Sequence, residues 1–146
     1  YADTIIEAGP LGSALLVKIL NNFVSFATAL VIGETFATAS KLGVPFGPLC
    51  AMIEAGGANS TMFQWIKPWI LEGDDSLGRG RLAGSKNVLD AYRAAAQAQG
   101  APTVLADAAA GIVEAVLAAG HGEGFVPHLP GIMAAMAGAP FRSVPA

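Results

Sequence analysis

The chain has 146 residues, 53% of them hydrophobic and only 13% charged, with a formal net charge of −3. Eight Lys and Arg, scattered rather than clustered, exclude the basic patch of a nucleic-acid binder, and the length sets one domain large enough for a real core. A lone cysteine, Cys50, excludes an internal disulfide framework and a cysteine-rich metal site. Cys50 reads as a small core residue in a reducing compartment. Residues 1–10 carry Asp3 and Glu7 and lack the basic n-region of a secretory signal, so a cytoplasmic location is expected. The sequence begins with Tyr1 rather than Met, so the biological start is expected further upstream.

Taken in order, residues 1–8 read as an extended lead-in with a short strand at Thr4-Ile5-Ile6. Gly9, Pro10 and Gly12 then open a mostly apolar segment that Gly43 and Pro45 close. It is predicted as one helix to Leu42, of roughly eight turns, with Ser13 as N-cap. A second helix is predicted over 45–55, with Pro45 and Pro48 near its first turn. Asn59 or Ser60 caps a third segment, Thr61–Leu71, which Pro68 is expected to kink or split. Trp65 and Trp69 in it read as core packing. Gly73–Arg81 is a polar loop. A fourth helix runs from about Ser85 to Gln99, with Val88, Leu89, Tyr92 and Ala95 on one face. A fifth runs from Thr103 to Ala119. Pro127 to Pro130 is expected to forbid regular structure, and a weak last helix over Leu129–Ala139 precedes a tail at 140–146. No alternating strand pattern of any length appears, so the fold class is all-α: a long central helix packed by four or five shorter ones.

The long helix carries one exception to its apolar pattern. Lys18, Asn21, Asn22 and Ser25 stand at i, i+3, i+4 and i+7 and share a face. The wet edge of an amphipathic helix is the plain explanation, but Leu15, Leu16, Val17, Ile19, Leu20, Phe23, Val24 and Phe26 occupy the other directions. A membrane span is disfavoured because Lys18, Asn21 and Asn22 fall near the centre of the best window, where a lysine costs about 2.5–3.5 kcal/mol. A cleft-facing stripe is the better reading. Weaker candidates fall away. His121 and His128 lack a carboxylate or cysteine at ligand spacing and read as a solvated loop pair. Gly78-Arg79-Gly80-Arg81 and the glycines at 9–12 lack the strand–turn–helix context of a phosphate cradle.

Gly9-Pro10-Leu11-Gly12-Ser13, then Lys18-Ile19-Leu20-Asn21-Asn22, then Glu34 and Gly43, resemble the C-terminal domain of the β-hydroxyacid dehydrogenases. This is the group of 3-hydroxyisobutyrate dehydrogenase, tartronate semialdehyde reductase and 6-phosphogluconate dehydrogenase. The resemblance extends to about Gly124. It implies Lys18 as the catalytic lysine and Asn22 as the asparagine that holds substrate beside it. It also implies Lys86 as a lysine that reaches the nicotinamide cofactor. The family's Lys-Asp pair here reads Lys86-Asn87, Ala14 replaces a glycine, and Phe125-Val126-Pro127 replaces an acidic residue and a serine.

The resemblance further implies an N-terminal Rossmann domain that would bring NAD or NADP, a homodimer through the helical domain, and a small hydroxy-acid substrate. Hydride would move between nicotinamide and a carbinol carbon while Lys18 handles the hydroxyl proton. That role needs desolvation of a lysine whose ordinary pKa is about 10.4, which an apolar helix at a cleft can supply. Without the Rossmann domain the chain is expected to be inactive and to bind no dinucleotide. The alternative is a free-standing helical oligomerisation module with no catalysis.

Overall fold

The computed structural model describes residues 6–141. The expected strand at 4–6 and the tail at 140–146 fall largely outside them. Six α-helices follow one another: α1 (Ser13–Leu42), α2 (Phe46–Ala55), α3 (Thr61–Glu72), α4 (Leu82–Gln97), α5 (Val104–Ala118) and, after a 3-10 turn at Val126–His128, α6 (Leu129–Met136). Among the described residues there is no strand, only an isolated bridge between Arg81 and Phe125. The fold is all-α.

Helix α1 starts and stops on left-handed glycines, Gly12 (φ 94°) and Gly43 (φ 68°), a backbone region that L side chains rarely adopt. Ser13 is therefore the first helical residue rather than the cap, and its hydroxyl caps nothing. Ser60 does cap α3, accepting the Phe63 N–H at 3.1 Å. Pro68 does not split α3, which runs unbroken to Glu72. Fully buried Ile66 and Ile70 on either side of the proline hold the two halves in the core, and that burial outweighs the roughly 3 kcal/mol a helix-interior proline costs.

The Pro127–Pro130 stretch is regular, contrary to expectation. Each proline lies in the first turn of its own helix, where no N–H is needed. Nor is α6 weak. It makes the most extensive helix–helix contact of the molecule, with α1. Gly33 of α1 allows that approach: a Cβ there would stand 3.3 Å from Leu129 Cβ and 2.7 Å from Met133 Sδ. The chain beyond α6 also packs, since Phe141 lies on Trp69 (5.2 Å between ring centroids) and Phe46 (4.9 Å).

Along α1 the burial is uneven. Phe26, Ala29, Leu30, Ile32, Gly33, Phe36, Ala37 and Ala39 are buried, while Leu15 and Val24 are 62% and 63% exposed. By length and composition α1 is the one helix among the described residues apolar enough to cross a membrane. Its second half, however, is the axis of the core, and the first half overhangs.

His128 is not a solvated loop residue. Its Nδ1 accepts the Phe125 N–H at 3.2 Å and its Nε2 lies 3.0 Å from Asp75 Oδ2, so the 73–81 loop is tied to the last turn of the core. Cys50 is 2% exposed, and burial, with Glu54 nearby, pushes its thiol up to about 11, which leaves it inert at neutral pH.

Two glycines predict opposite outcomes for one substitution. A Cβ on Gly131 of α6 would meet the Trp69 ring at 2.5 Å, whereas Gly111 in α5 has nothing within 4 Å. Gly111→Ala is expected to raise unfolding stability by about 0.5–1 kcal/mol through helix propensity. Gly131→Ala is expected to lower it by about 1–2 kcal/mol, because overpacking exceeds that gain. Denaturant unfolding measures both, and stabilisation at both sites would contradict the packing of Trp69 on α6.

Candidate functional site

The overhanging half of α1 does not stand alone. Phe23 stacks on Tyr92 of α4, with ring centroids 3.9 Å apart and planes 21° from parallel. Beyond that stack the two helices leave an open cleft of about 200 Å³. Leu15, Lys18, Ile19 and Asn22 line it from α1, spaced at i, i+3, i+4 and i+7 on one face. Asn87, Val88 and Ala91 line it from α4. The predicted stripe is thus divided: Lys18 and Asn22 face the cleft, while Asn21 is exposed and Ser25 half-buried outside it.

Lys18 differs from the other cations. Of the eight Lys and Arg, Arg142 lies outside the described residues. Lys41 donates to the Gly138 carbonyl at 3.3 Å, and Lys67 pairs with Glu54 at 2.5 Å. Arg79 lies 4.7 Å over the Phe125 ring, and Arg81 pairs with Glu123. Lys86 pairs with Asp90 at 2.5 Å, and Arg93 with Asp107 at 2.6 Å. Lys18 alone, among the described residues, has no ion pair, hydrogen bond or aromatic face. No carboxylate lines its cleft. The first turn of α1 has neither an acidic residue nor a side-chain cap, so the positive end of the helix dipole a turn away is also unneutralised.

Lys18 is exposed rather than sunk in apolar surroundings, because the helix that was expected to desolvate it projects past its own bundle. Lys86 sits on the α4 surface beside the cleft without lining it, held by the i,i+4 pair with Asp90. Asn87, read from the sequence only as a departure from the family's Lys-Asp pair, is a wall of the cleft. Its i,i+4 relation to Ala91 was the available signal, but the face chosen on α4 was the one centred on Leu89, which is the core face. Trp65, expected in the core, is 40% exposed.

Further along α1, Val24, Thr28 and Val31 form with Leu49 and Ile53 of α2 and Leu105 of α5 a larger groove of about 650 Å³, and no charged residue lines it. Among the described residues no three His, Cys, Asp or Glu come together as a metal site would require.

An all-α domain whose longest helix carries an uncommitted lysine over an open edge is the class these features define. A family model described as "NAD-binding of NADP-dependent 3-hydroxyisobutyrate dehydrogenase" matches residues 12–125, and the chain belongs to that family. Its fold is that of part of a crystal structure of 3-hydroxyisobutyrate dehydrogenase from Salmonella typhimurium, with a TM-score of 0.75 at 22% identity. That match covers 83% of this chain and 42% of the other, so the chain spans less than half the length of that relative. No curated protein matches the chain.

The Phe23–Tyr92 stack joins the two helices that wall the cleft and is open to a direct check. Phe23→Ala, Tyr92→Ala and the double variant, compared by denaturant unfolding, should give a coupling energy of about 0.5–1.5 kcal/mol. Additive effects would mean that the rings do not hold α1 to α4.

Proposed function

We propose that the chain is the C-terminal catalytic and dimerisation domain of an NAD(P)-dependent β-hydroxyacid dehydrogenase, with Lys18 as the acid–base lysine. The observation that carries this reading is the uncommitted ammonium of Lys18, aimed with Asn22 into a cleft that lacks a carboxylate. A lysine kept free of every local partner is available to a ligand. The family supplies the chemistry: the nicotinamide exchanges hydride with the carbinol carbon of a small 3-hydroxy acid.

In this reading a Rossmann domain ahead of α1 binds NAD or NADP and covers the exposed first half of the helix. Leu15, Leu16, Val17 and Leu20, all exposed here, are the surface it covers. The cover removes water from around Lys18, as a proton-transferring lysine needs. On oxidation Lys18, as the neutral amine that desolvation favours, would take the hydroxyl proton, and the dinucleotide, when bound, would supply the hydride acceptor. On reduction it returns that proton to the alkoxide. Asn22, one turn further on, donates its amide N–H to the substrate oxygen and fixes the angle at which that oxygen meets Lys18. Lys86, beside the cleft, reaches the nicotinamide half of the cofactor. By itself the chain is inactive and holds no dinucleotide.

The larger apolar groove serves a second purpose, that of docking the helical domain of another copy. Val24, Val31 and Leu105 are 63%, 64% and 74% exposed, an apolar surface of the kind that marks interfaces, and a two-fold pairing is the simplest closed arrangement.

In the two-domain protein, Lys18→Ala is expected to lower kcat about 10²–10⁴-fold, the range for a positioned acid–base group, with dinucleotide affinity little changed. Steady-state kinetics alongside cofactor titration decides this, and wild-type turnover would end the assignment. Sedimentation at low micromolar concentration is expected to show a dimer, which Val31→Glu should dissociate. A wild-type monomer would contradict the proposed use of the groove.

A further inference from the structure

Helix α4 begins without help from its own residues. Its first turn has no acidic side chain and no side-chain cap, so its leading N–H groups need acceptors from elsewhere. The turn after α5 supplies them. Leu82 N–H donates to the Gly124 carbonyl at 2.9 Å and Ala83 N–H to the Gly122 carbonyl at 3.0 Å, while Val126 N–H returns a bond to the Gly80 carbonyl at 2.9 Å. His128 braces this capping segment, because its Nδ1 accepts the Phe125 N–H at 3.2 Å. A backbone N–H can only donate, so Nδ1 carries no proton. The proton of the neutral ring is then on Nε2, 3.0 Å from Asp75 Oδ2. Only the neutral ring, in this one tautomer, satisfies both partners.

The ring is not free to turn away, since the Trp69 and Phe125 rings flank it at 5.4 Å and 5.6 Å between centroids. The charged groups of the elements around it are engaged elsewhere or exposed. Asp74 accepts from the Ser76 N–H and hydroxyl, Arg79 lies over the Phe125 ring, and Arg81 pairs with Glu123. On α3, Lys67 pairs with Glu54 and Glu72 is exposed, as is Glu34 of α1. Helix α6 has no titratable side chain. His121, in the capping turn itself, is the second group there that titrates near neutrality.

We propose that His128 is a pH-sensitive latch on the start of α4: neutral, it fixes the capping segment; protonated, it keeps Asp75 and releases Phe125. The added proton can enter only at Nδ1, where it meets the Phe125 N–H donor against donor. That N–H loses its acceptor, while the Nε2–H bond to Asp75 persists and becomes charge-assisted. The Gly122 and Gly124 carbonyls lose their brace, and the α4 N–H groups they accept fray with them. Asn87 follows within the next turn and a half, so acid loosens the α4 wall of the Lys18 cleft.

Two measurements on the two-domain protein test the latch. Nitrogen-15 NMR of labelled histidine at about pH 8 is expected to show His128 as the Nε2–H tautomer. Hydrogen exchange, read as protection factors over residues 80–84 and 121–126, is expected to show about a tenfold loss of protection from about pH 8 to about pH 5, with the buried half of α1 unchanged. His128→Asn can place its amide oxygen where Nδ1 stands and cannot titrate. Its protection should vary less than about twofold over the same range, and His121, unaltered in that variant, serves as the control. An Nδ1–H tautomer at the higher pH, flat protection in the wild type, or an equal loss in His128→Asn would each overturn the proposal.

Discussion

The structure depends on one helix being longer than the domain that holds it. Helix α1 has 30 residues, about 45 Å at 1.5 Å per residue. A compact chain of this size has a radius of gyration of about 15 Å, hence a diameter of about 38 Å. Part of α1 therefore projects past a body of that size. The close approach of α6 at Gly33 decides which half is kept. Phe26 to Ala39 form the axis of the core, and the turns before Phe23 overhang with α4 alongside. The position of Lys18 follows from that choice. A lysine in the buried half would need a partner or would not be tolerated, whereas on the overhang it can be left free.

On the proposed reading the cleft is half a site, and the overhang gives the reason. One wall is α1 and the other α4, with the Phe23–Tyr92 stack joining the two helices further along, and the cleft is open to solvent. A lysine that transfers protons needs a dry surrounding, and a helix end that projects beyond its bundle is suited to be covered by a separate body. The exposure of Leu15, Leu16 and Leu20 fits the same arrangement. Composition is consistent with this: 13% of the residues are charged, and exposed apolar side chains lie on the overhang and along the 650 Å³ groove.

Much of this was legible in the residues. Gly12 and Gly43 bracket α1 because both hold left-handed backbone, and the i, i+3, i+4 spacing put Lys18 and Asn22 on one face. What the pattern could not show was which half of an almost uniformly apolar helix would be buried, since that depends on α6 and the 3-10 turn before it, each with a proline in its first turn. Those prolines read as breakers, yet both stand where a helix needs no N–H. Pro68 misled in the same way, its cost outweighed by Ile66 and Ile70. His128 looked solvated because its partner Asp75 is 53 residues away in sequence. Asn87 was missed because its place in the cleft depends on α4 lying beside the overhang, a tertiary fact that no local spacing contains.

On the proposed reading, Lys18 meets the substrate oxygen. A crystal structure of the two-domain protein with oxidised dinucleotide and a hydroxy-acid ligand tests it most directly. The account predicts Lys18 Nζ within hydrogen-bond reach of the carbinol oxygen, at about 2.6–3.2 Å, with the N-terminal domain lying over Leu15 and Leu16. A ligand bound elsewhere, with Lys18 still facing solvent, would contradict it.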